Sequence, residues 1–586
     1  MKANQAHRLK GIAANIVVAV FCIFFADVVV AQHVYNGYVL NKTPEWKDVI
    51  SFYKNLSQKY QQAKLFTEGS TDIGKPLHLF VISADGNFNP ASVLQKDKCV
   101  ILINNGIHPG EPDGIDASMT LAETVLKDIH NPLYKNIVLC IIPVFNIDGA
   151  LRRSCCSRAN QNGPEEYGFR ANYKNLDLNR DFIKCDAKNT ASFIQLFQKW
   201  KPAIFLDTHV SNGADYPYVL TLIATQKDKL TPSLGRYLND KMLPELYADM
   251  QAKNEPITPY VDAVFNSPDS GIAGFLETPR FASGYATLFN TISFITETHM
   301  LKPFKDRVSA TLSFMNTLIS FAHKHAEEIN KACADANVES KNSSSFPLQW
   351  KLDTTTVDKF YFKGYEATYK KSSISGLNRL YYDRSKPYEK YIPYFNTYQV
   401  TTSIEKPVAY IIPQCWQNVI ERLKWSGIIL QKITKDTMLI VEVYYIDDYK
   451  TTAKPYEGHY VHSNVKIHAE KQHLPFFKGD FLVFTNQEKN RYIMETLEPQ
   501  ATDSYFNWGF FDAILQQKEG FSDYVFEDIA ENLLQTNPDL RLKLEHALHA
   551  DSSLRNDHFR QLDFIYKNSP YHEKSSFRYP VFRIQQ

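Results

Sequence analysis

His108 and Glu111 stand three positions apart where the apolar run 99–103 is stopped by Gly106, Pro109 and Gly110. A tight turn can aim such an imidazole nitrogen and carboxylate oxygen at one point, which is two of the three protein ligands that a hydrolytic zinc takes, with one position left for water. The spacing alone is common in unrelated proteins. Its weight comes from what lies downstream. His209 closes a short apolar run at 203–207, and Glu297 follows another at 291–295. Between Glu111 and His209, residues 167–182 carry Arg170, Asn179 and Arg180. A planar guanidinium can hold a carboxylate with two hydrogen bonds, which lysine cannot.

These groups need elements to place them. The pattern predicts a helix over 49–62, strands over 77–83 and 99–103, and a helix over 115–127 whose apolar residues recur at helical spacing. A strand follows over 137–144, then a helix over 193–200, strands over 203–207 and 291–295, and a long helix over 308–322 with a polar continuation over 323–336. Strands alternating with helices predict an α/β fold, a mixed and mainly parallel sheet with helices on both faces. Ligands of such a sheet gather beyond the carboxyl ends of its strands, where His108, His209 and Glu297 all fall.

Read together and in order, the motifs His108-Pro-Gly-Glu111, Phe169-Arg-Ala-Asn172, Leu176-Asp-Leu-Asn-Arg-Asp181, the strand-closing His209 and Thr296-Glu297-Thr298 resemble those of the zinc metallocarboxypeptidases, the carboxypeptidase A-like enzymes. The likeness covers residues 46–325. It implies one zinc ion with His108, Glu111 and His209 as ligands, Glu297 as general base toward the attacking water, and Arg170 polarising the scissile carbonyl. It further implies that Asn179 and Arg180 grip the substrate's terminal carboxylate and that a tyrosine covers it. Tyr285, in Ala282-Ser-Gly-Tyr285, is the candidate for that last role. The implied partner is a peptide or protein C-terminus. Two other readings keep the fold: an amidase or carboxypeptidase acting on cell-wall peptides, and a non-catalytic peptide-binding protein, against which the retention of every ligand and of Glu297 counts.

Composition sets bounds. Hydrophobic residues at 44% and a net charge of +1 describe an ordinary globular protein with no polyanion-binding surface, so no nucleic-acid partner is expected. Lys2, Arg8 and Lys10 precede an apolar run at 16–26 and the small residues before Ala31. The run is too short to span a bilayer, and the pattern predicts a signal peptide over 1–31, hence export to a periplasm or the extracellular space without a stable membrane span. Export would permit disulfides, and Cys155 or Cys156 is the candidate partner for Cys185. No Cys-x-x-Cys pair exists, which argues against a structural zinc cluster.

The catalytic domain is expected over 32–336, a serine-rich linker over 337–345, and a β-rich accessory domain of unstated role over 346–586, with strands near 360–369 and 439–445 and a helix at 414–424. His299 reads as structural, and Asp207 as a partner for a ligand ring or as a turn residue. Residues 160–163 read as turn chemistry, and Lys370-Lys371 as a solvated face.

Overall fold

The computed structural model describes residues 36–96 and 98–585, so the expected signal segment 1–31 lies outside the described residues. The first helix is Trp46–Lys59. The strands that follow are β1 Ala63–Ser70, β2 Pro76–Ser83, β3 Cys99–Asn104, β4 Ile137–Ile142, β5 Ile204–Ser211, β6 Leu220–Ala224, β7 Thr258–Pro259, β8 Asp262–Ala263, β9 Ile272–Ala273 and β10 Ile292–His299. Eight of them form one sheet in the order β1-β2-β4-β3-β5-β10-β6-β7. The central strands β4, β3, β5 and β10 run parallel, flanked by antiparallel β2 on one side and β6 on the other. The strand order reverses between β3 and β5, which opens a crevice beyond their carboxyl ends.

β3, β4 and β5 are buried along their whole length, as the near-continuous apolar runs of β3 and β4 require. Alternation sends their side chains to two faces. Ile101 and Ile103 pack into the core that contains Val125 and Val308, which come from the helices Asp113–Lys127 and Phe304–Lys324. Val100 and Leu102 point the other way, into a core shared with Phe193 and Phe197 of the helix Lys188–Trp200.

That second core does not stop at the sheet. Tyr410, Ile420, Leu423, Tyr492 and Trp508 belong to the same buried cluster as Leu102 and Phe205, and the Phe289 and Tyr492 rings lie 5.3 Å apart. The region expected to be a separate accessory domain is therefore packed onto one face of the sheet. It contributes β11 Ser345–Leu352, β12 Asp358–Lys371, β13 Asn378–Phe395, β14 Tyr398–Glu405, β15 Ala409–Ile412, β16 Gln431–Lys432, β17 Thr437–Thr451, β18 His462–Phe476, β19 Phe481–Phe484 and β20 Phe582–Ile584. β13 pairs with β9, joining the two halves by backbone as well. The region is β-rich, with the helices Asp523–Thr536, Pro538–Ala550 and His558–Lys567 occupying much of its last third.

The expected linker over 337–345 is not one. The helix Ala326–Asn342 runs through most of it and β11 begins at Ser345. Within it Ser340 is held rather than solvated: it is 2% exposed, and Asn290 donates to its hydroxyl at 3.1 Å. The expected pairing of Cys185 is also corrected. Cys155 and Cys156 are bonded to each other, while Cys185 is a buried free thiol.

Candidate active site

β3 ends at Asn104, and the chain turns through Gly106, whose φ of 64° lies in the left-handed region that favours glycine. The turn delivers His108 and Glu111 before the helix Asp113–Lys127 begins. Gly114 in that helix lies against β5, where an added Cβ would meet the Thr208 hydroxyl at 2.0 Å. This close approach brings the His108–Glu111 turn beside His209. The Asp113 carboxylate fixes the same helix end, with the buried Arg307 at 2.9 Å.

The three side chains converge. His209 Nδ1 lies 3.2 Å from His108 Nδ1 and 3.1 Å from a Glu111 oxygen, and His108 Nδ1 lies 3.4 Å from that same oxygen. A tetrahedral zinc at ordinary bond lengths separates neighbouring ligand atoms by about 3.3 Å. Each ring also presents its other nitrogen to a carboxylate: His108 Nε2 to Asp177 at 2.8 Å, and His209 Nε2 to Asp207 at 2.9 Å. A neutral ring that donates from Nε2 has a lone pair on Nδ1. Two such lone pairs and a carboxylate oxygen, all acceptors, then face one another, and a cation between them satisfies all three. The donor set therefore fits zinc. Burial alone would lower the His209 pKa, but Asp207 and Glu111 hold it well above the ordinary value, which is the same demand for positive charge seen by a proton.

Glu111 is gripped from behind. Arg158 Nη1 donates to Oε1 at 2.6 Å and Arg170 Nη1 at 3.3 Å, while the Val210 amide donates to Oε2 at 3.0 Å. Although burial alone would raise its pKa, His108 and Arg158 hold Glu111 well below the usual carboxylate range. Glu297 sits on β10 in register with His209 on β5. Burial pushes its carboxyl up to about 7, the neighbouring Glu111 charge adding to the rise.

A cavity of about 480 Å³ contains His108, Glu111, His209, Glu297, Arg170, Asn179 and Arg180 among its walls. The structure thus gathers seven of the eight residues singled out in the sequence. Asp177, between the motif residues, ties them together: its Oδ1 accepts from His108, and its Oδ2 from Arg170 at 3.0 Å. Arg180 lies over the Phe281 ring with its guanidinium carbon 4.3 Å from the centroid.

Tyr285 is the exception. It is wholly buried on the helix Ala282–Thr287, its hydroxyl 3.2 Å from Ser426 Oγ and its ring among Phe197, Phe289 and Tyr492. It does not reach the cavity. The cavity's tyrosine is Tyr260, which sequence reading missed, as it missed Arg158. Burial raises the Tyr260 pKa, with Glu297 adding to the shift. The residue that β10 places two before Glu297, Ile295, faces Ile223 across the β10–β6 pair, and both line the cavity with Phe275 and Phe281. Asn160, read as turn chemistry, stands on the same wall. His299 stays out of it, its Nε2 bonded to the Ala214 carbonyl at 2.9 Å. Among the described residues no helix is long and apolar enough to cross a membrane.

Residues 49–331 match the family described as zinc carboxypeptidase. Carboxypeptidase 2 of Trichophyton rubrum is 21% identical over 452 residues, covering 72% of this chain and 75% of that protein. Carboxypeptidase 2 of Trichophyton equinum is 21% identical over 443 residues, 70% of this chain and 74% of that one. Among solved structures, a metallo-carboxypeptidase from Burkholderia cenocepacia aligns at 17% identity over 48% of this chain and 69% of its own, with a TM-score of 0.35.

Proposed function

We propose, from the premise that residues 49–331 of this chain are a zinc carboxypeptidase domain, that the protein removes single residues from the free C-termini of peptides, using one zinc ion held by His108, Glu111 and His209. The observation that carries the ligand assignment is the triangle of mutually accepting atoms with edges of 3.1, 3.2 and 3.4 Å. Zinc, when bound there, supplies Lewis acidity toward a peptide carbonyl and makes a water more acidic.

The chain's own residues supply the rest. A Glu297 carboxylate whose pKa is near 7 is matched to accepting a proton from the attacking water at neutral pH and passing it to the leaving amine. Arg170, tethered to Asp177 and Glu111, is placed to donate to the carbonyl oxygen as negative charge develops on it. Arg180 and Asn179 take the terminal carboxylate, which selects free C-termini. Tyr260, in place of Tyr285, is the tyrosine that meets the bound peptide. The wall built by Ile223, Ile295, Phe275 and Phe281 suits an apolar or aromatic C-terminal side chain, since a charged one would be desolvated there without a partner. The pattern of residues 1–31 supports export.

The test is mass spectrometry of a mixed peptide pool incubated with the zinc-loaded protein, beside Glu297→Gln and a chelator control. Single C-terminal residues, apolar ones first, should be lost only with the intact enzyme. No loss from ordinary peptides alongside loss from peptides ending in D-amino acids would move the assignment to cell-wall substrates, and no loss from either would leave a binding protein.

A further inference from the structure

The connection between β17 and β18 ends in a tight turn at Tyr456, Glu457, Gly458 and His459, closed by two backbone hydrogen bonds: the Tyr456 amide to the His459 carbonyl at 2.8 Å, and the His459 amide to the Tyr456 carbonyl at 3.0 Å. Both central residues have positive φ, 50° at Glu457 and 84° at Gly458. That geometry strongly favours Asn, Asp or Gly in its first central position. Glutamate there is strained, and a strained residue persists where its surroundings demand it.

The surroundings are the active-site segment. The Asp177 amide donates to a Glu457 carboxylate oxygen at 2.7 Å. Arg180 Nε donates to the Tyr456 hydroxyl at 3.1 Å. His459 Nε2 lies 2.7 Å from Asp186 Oδ2. The turn's three side chains thus each hold a different residue of the stretch 177–186, 273 to 280 positions upstream. The first two of those residues matter most. Asp177 orients His108 and tethers Arg170, and it caps the short turn Leu178–Arg180 through the Asn179 amide at 2.9 Å. Arg180 is the proposed carboxylate grip. The turn is itself braced: the Tyr456 ring stacks on Trp508 with centroids 6.2 Å apart.

We infer that Glu457 and Tyr456 are positioning residues for catalysis, supplied by the C-terminal region, with Glu457 fixing the backbone at Asp177 and Tyr456 aiming Arg180 at the substrate's carboxylate. This rests on the carboxypeptidase reading and assigns the C-terminal region a part in the substrate site. Glycine, which the backbone prefers at this position, would have no side chain to reach Asp177.

The test uses the full chain, zinc-loaded, with four variants, reading kcat, KM and Tm on a peptide with a free C-terminus. Glu457→Gly should leave Tm equal or higher, since the strain is relieved, while kcat/KM falls about tenfold as a charge-assisted bond is lost. Glu457→Ala should lower kcat/KM likewise, and Glu457→Gln, whose amide oxygen still accepts, should restore most of it. Tyr456→Phe should raise KM roughly three- to tenfold with kcat within about twofold, because the carboxylate grip acts on binding. Unchanged kcat/KM in all variants of an active enzyme overturns the inference and leaves the carboxypeptidase reading intact. So does a parallel fall in Tm and activity with no rescue by glutamine, which would mark a merely structural contact. A wild-type chain that binds zinc but releases no C-terminal residue overturns the reading and the inference with it.

Discussion

Removing the Asp207 carboxylate should weaken zinc binding without touching a ligand. Asp207 is fully buried on β5, between Asn104 of β3 and Ile295 of β10 in register. One of its oxygens faces His209 Nε2 at 2.9 Å, and the other accepts from Asn104 Nδ2 at 3.0 Å. The carboxylate fixes the ring's rotation and tautomer and makes Nδ1 a better donor to the metal. Loss of such a partner costs about 10- to 100-fold in metal affinity, or about 1.4–2.8 kcal/mol. The structure separates the two limits. In Asp207→Asn the amide oxygen can still accept from Nε2, and its NH2 can meet Asn104 Oδ1, which has no partner in the native arrangement, once the Asn104 amide turns over. Only the charge is lost, and the affinity should fall about tenfold. Asp207→Ala removes the acceptor as well and should approach 100-fold. The assay is competition for zinc against a chromophoric chelator of known affinity, with thermal melting in excess chelator to confirm that each variant folds. Folded Asn and Ala variants that bind zinc within twofold of wild type would refute the reasoning that His209 holds the metal through Nδ1 under the control of Asp207.

Other expectations follow from single contacts. Glu297→Gln should bind zinc with near-native affinity but lose turnover by about 10²- to 10⁴-fold, the range for a removed general base; equal loss of zinc in the same competition assay would assign Glu297 to the metal instead. Tyr285→Phe should leave KM and kcat within about twofold and cost about 1 kcal/mol of stability, because the hydroxyl meets Ser426 and not the cavity; a large rise in KM would restore it to the site. Burial raises the Glu277 carboxyl to about 7, and one of its oxygens has no hydrogen-bond partner. A folded-state pKa above the unfolded one gives stability that is full below about 4.5 and is lost as pH rises through 7, so Glu277→Gln should gain on wild type by up to about 3 kcal/mol between pH 5 and pH 8. Denaturant unfolding at the two pH values measures the difference, and a gap that stays constant with pH would show that Glu277 does not titrate in this range.

The metal-facing residues were legible because each follows an apolar run that announces a strand, His108 and Glu111 in the turn after β3 and His209 near the carboxyl end of β5, and parallel strands deliver their carboxyl ends to one place. Arg158 and Tyr260 carried no such signal. Arg158 lies in a loop whose Asn-Gln-Asn-Gly sequence reads only as a turn, and it reaches Glu111 by a contact 47 positions long. Tyr285 was misread because composition does not tell which side of a short helix is buried; its ring is large enough to fill the second core, and does. The stretch 337–345 looked like a linker because its serines and asparagines are polar. Polarity stood for a free segment there, whereas Ser340 accepts from Asn290 at its hydroxyl and from Asn490 at its carbonyl inside the protein. The unity of the two halves was invisible for the same reason that the turn at Glu457 was: pairing across hundreds of residues leaves no periodicity in either partner.

The core that joins the sheet to Tyr410, Tyr492 and Trp508 also orders events during synthesis. The last proposed catalytic residue, Glu297, leaves the ribosome well before Tyr492, roughly 200 residues later, which at about 5–20 residues per second is about 10–40 s. Through that interval every strand of the eight-stranded sheet exists in the nascent chain, yet one of its faces lacks the side chains that cover it. Phe289 and Tyr285 then lack the Tyr492 ring that packs against both in the finished fold. A chain built this way covers that face of its sheet only after the C-terminal region has been made, and its nascent form presents an apolar sheet face of the kind that chaperones shield.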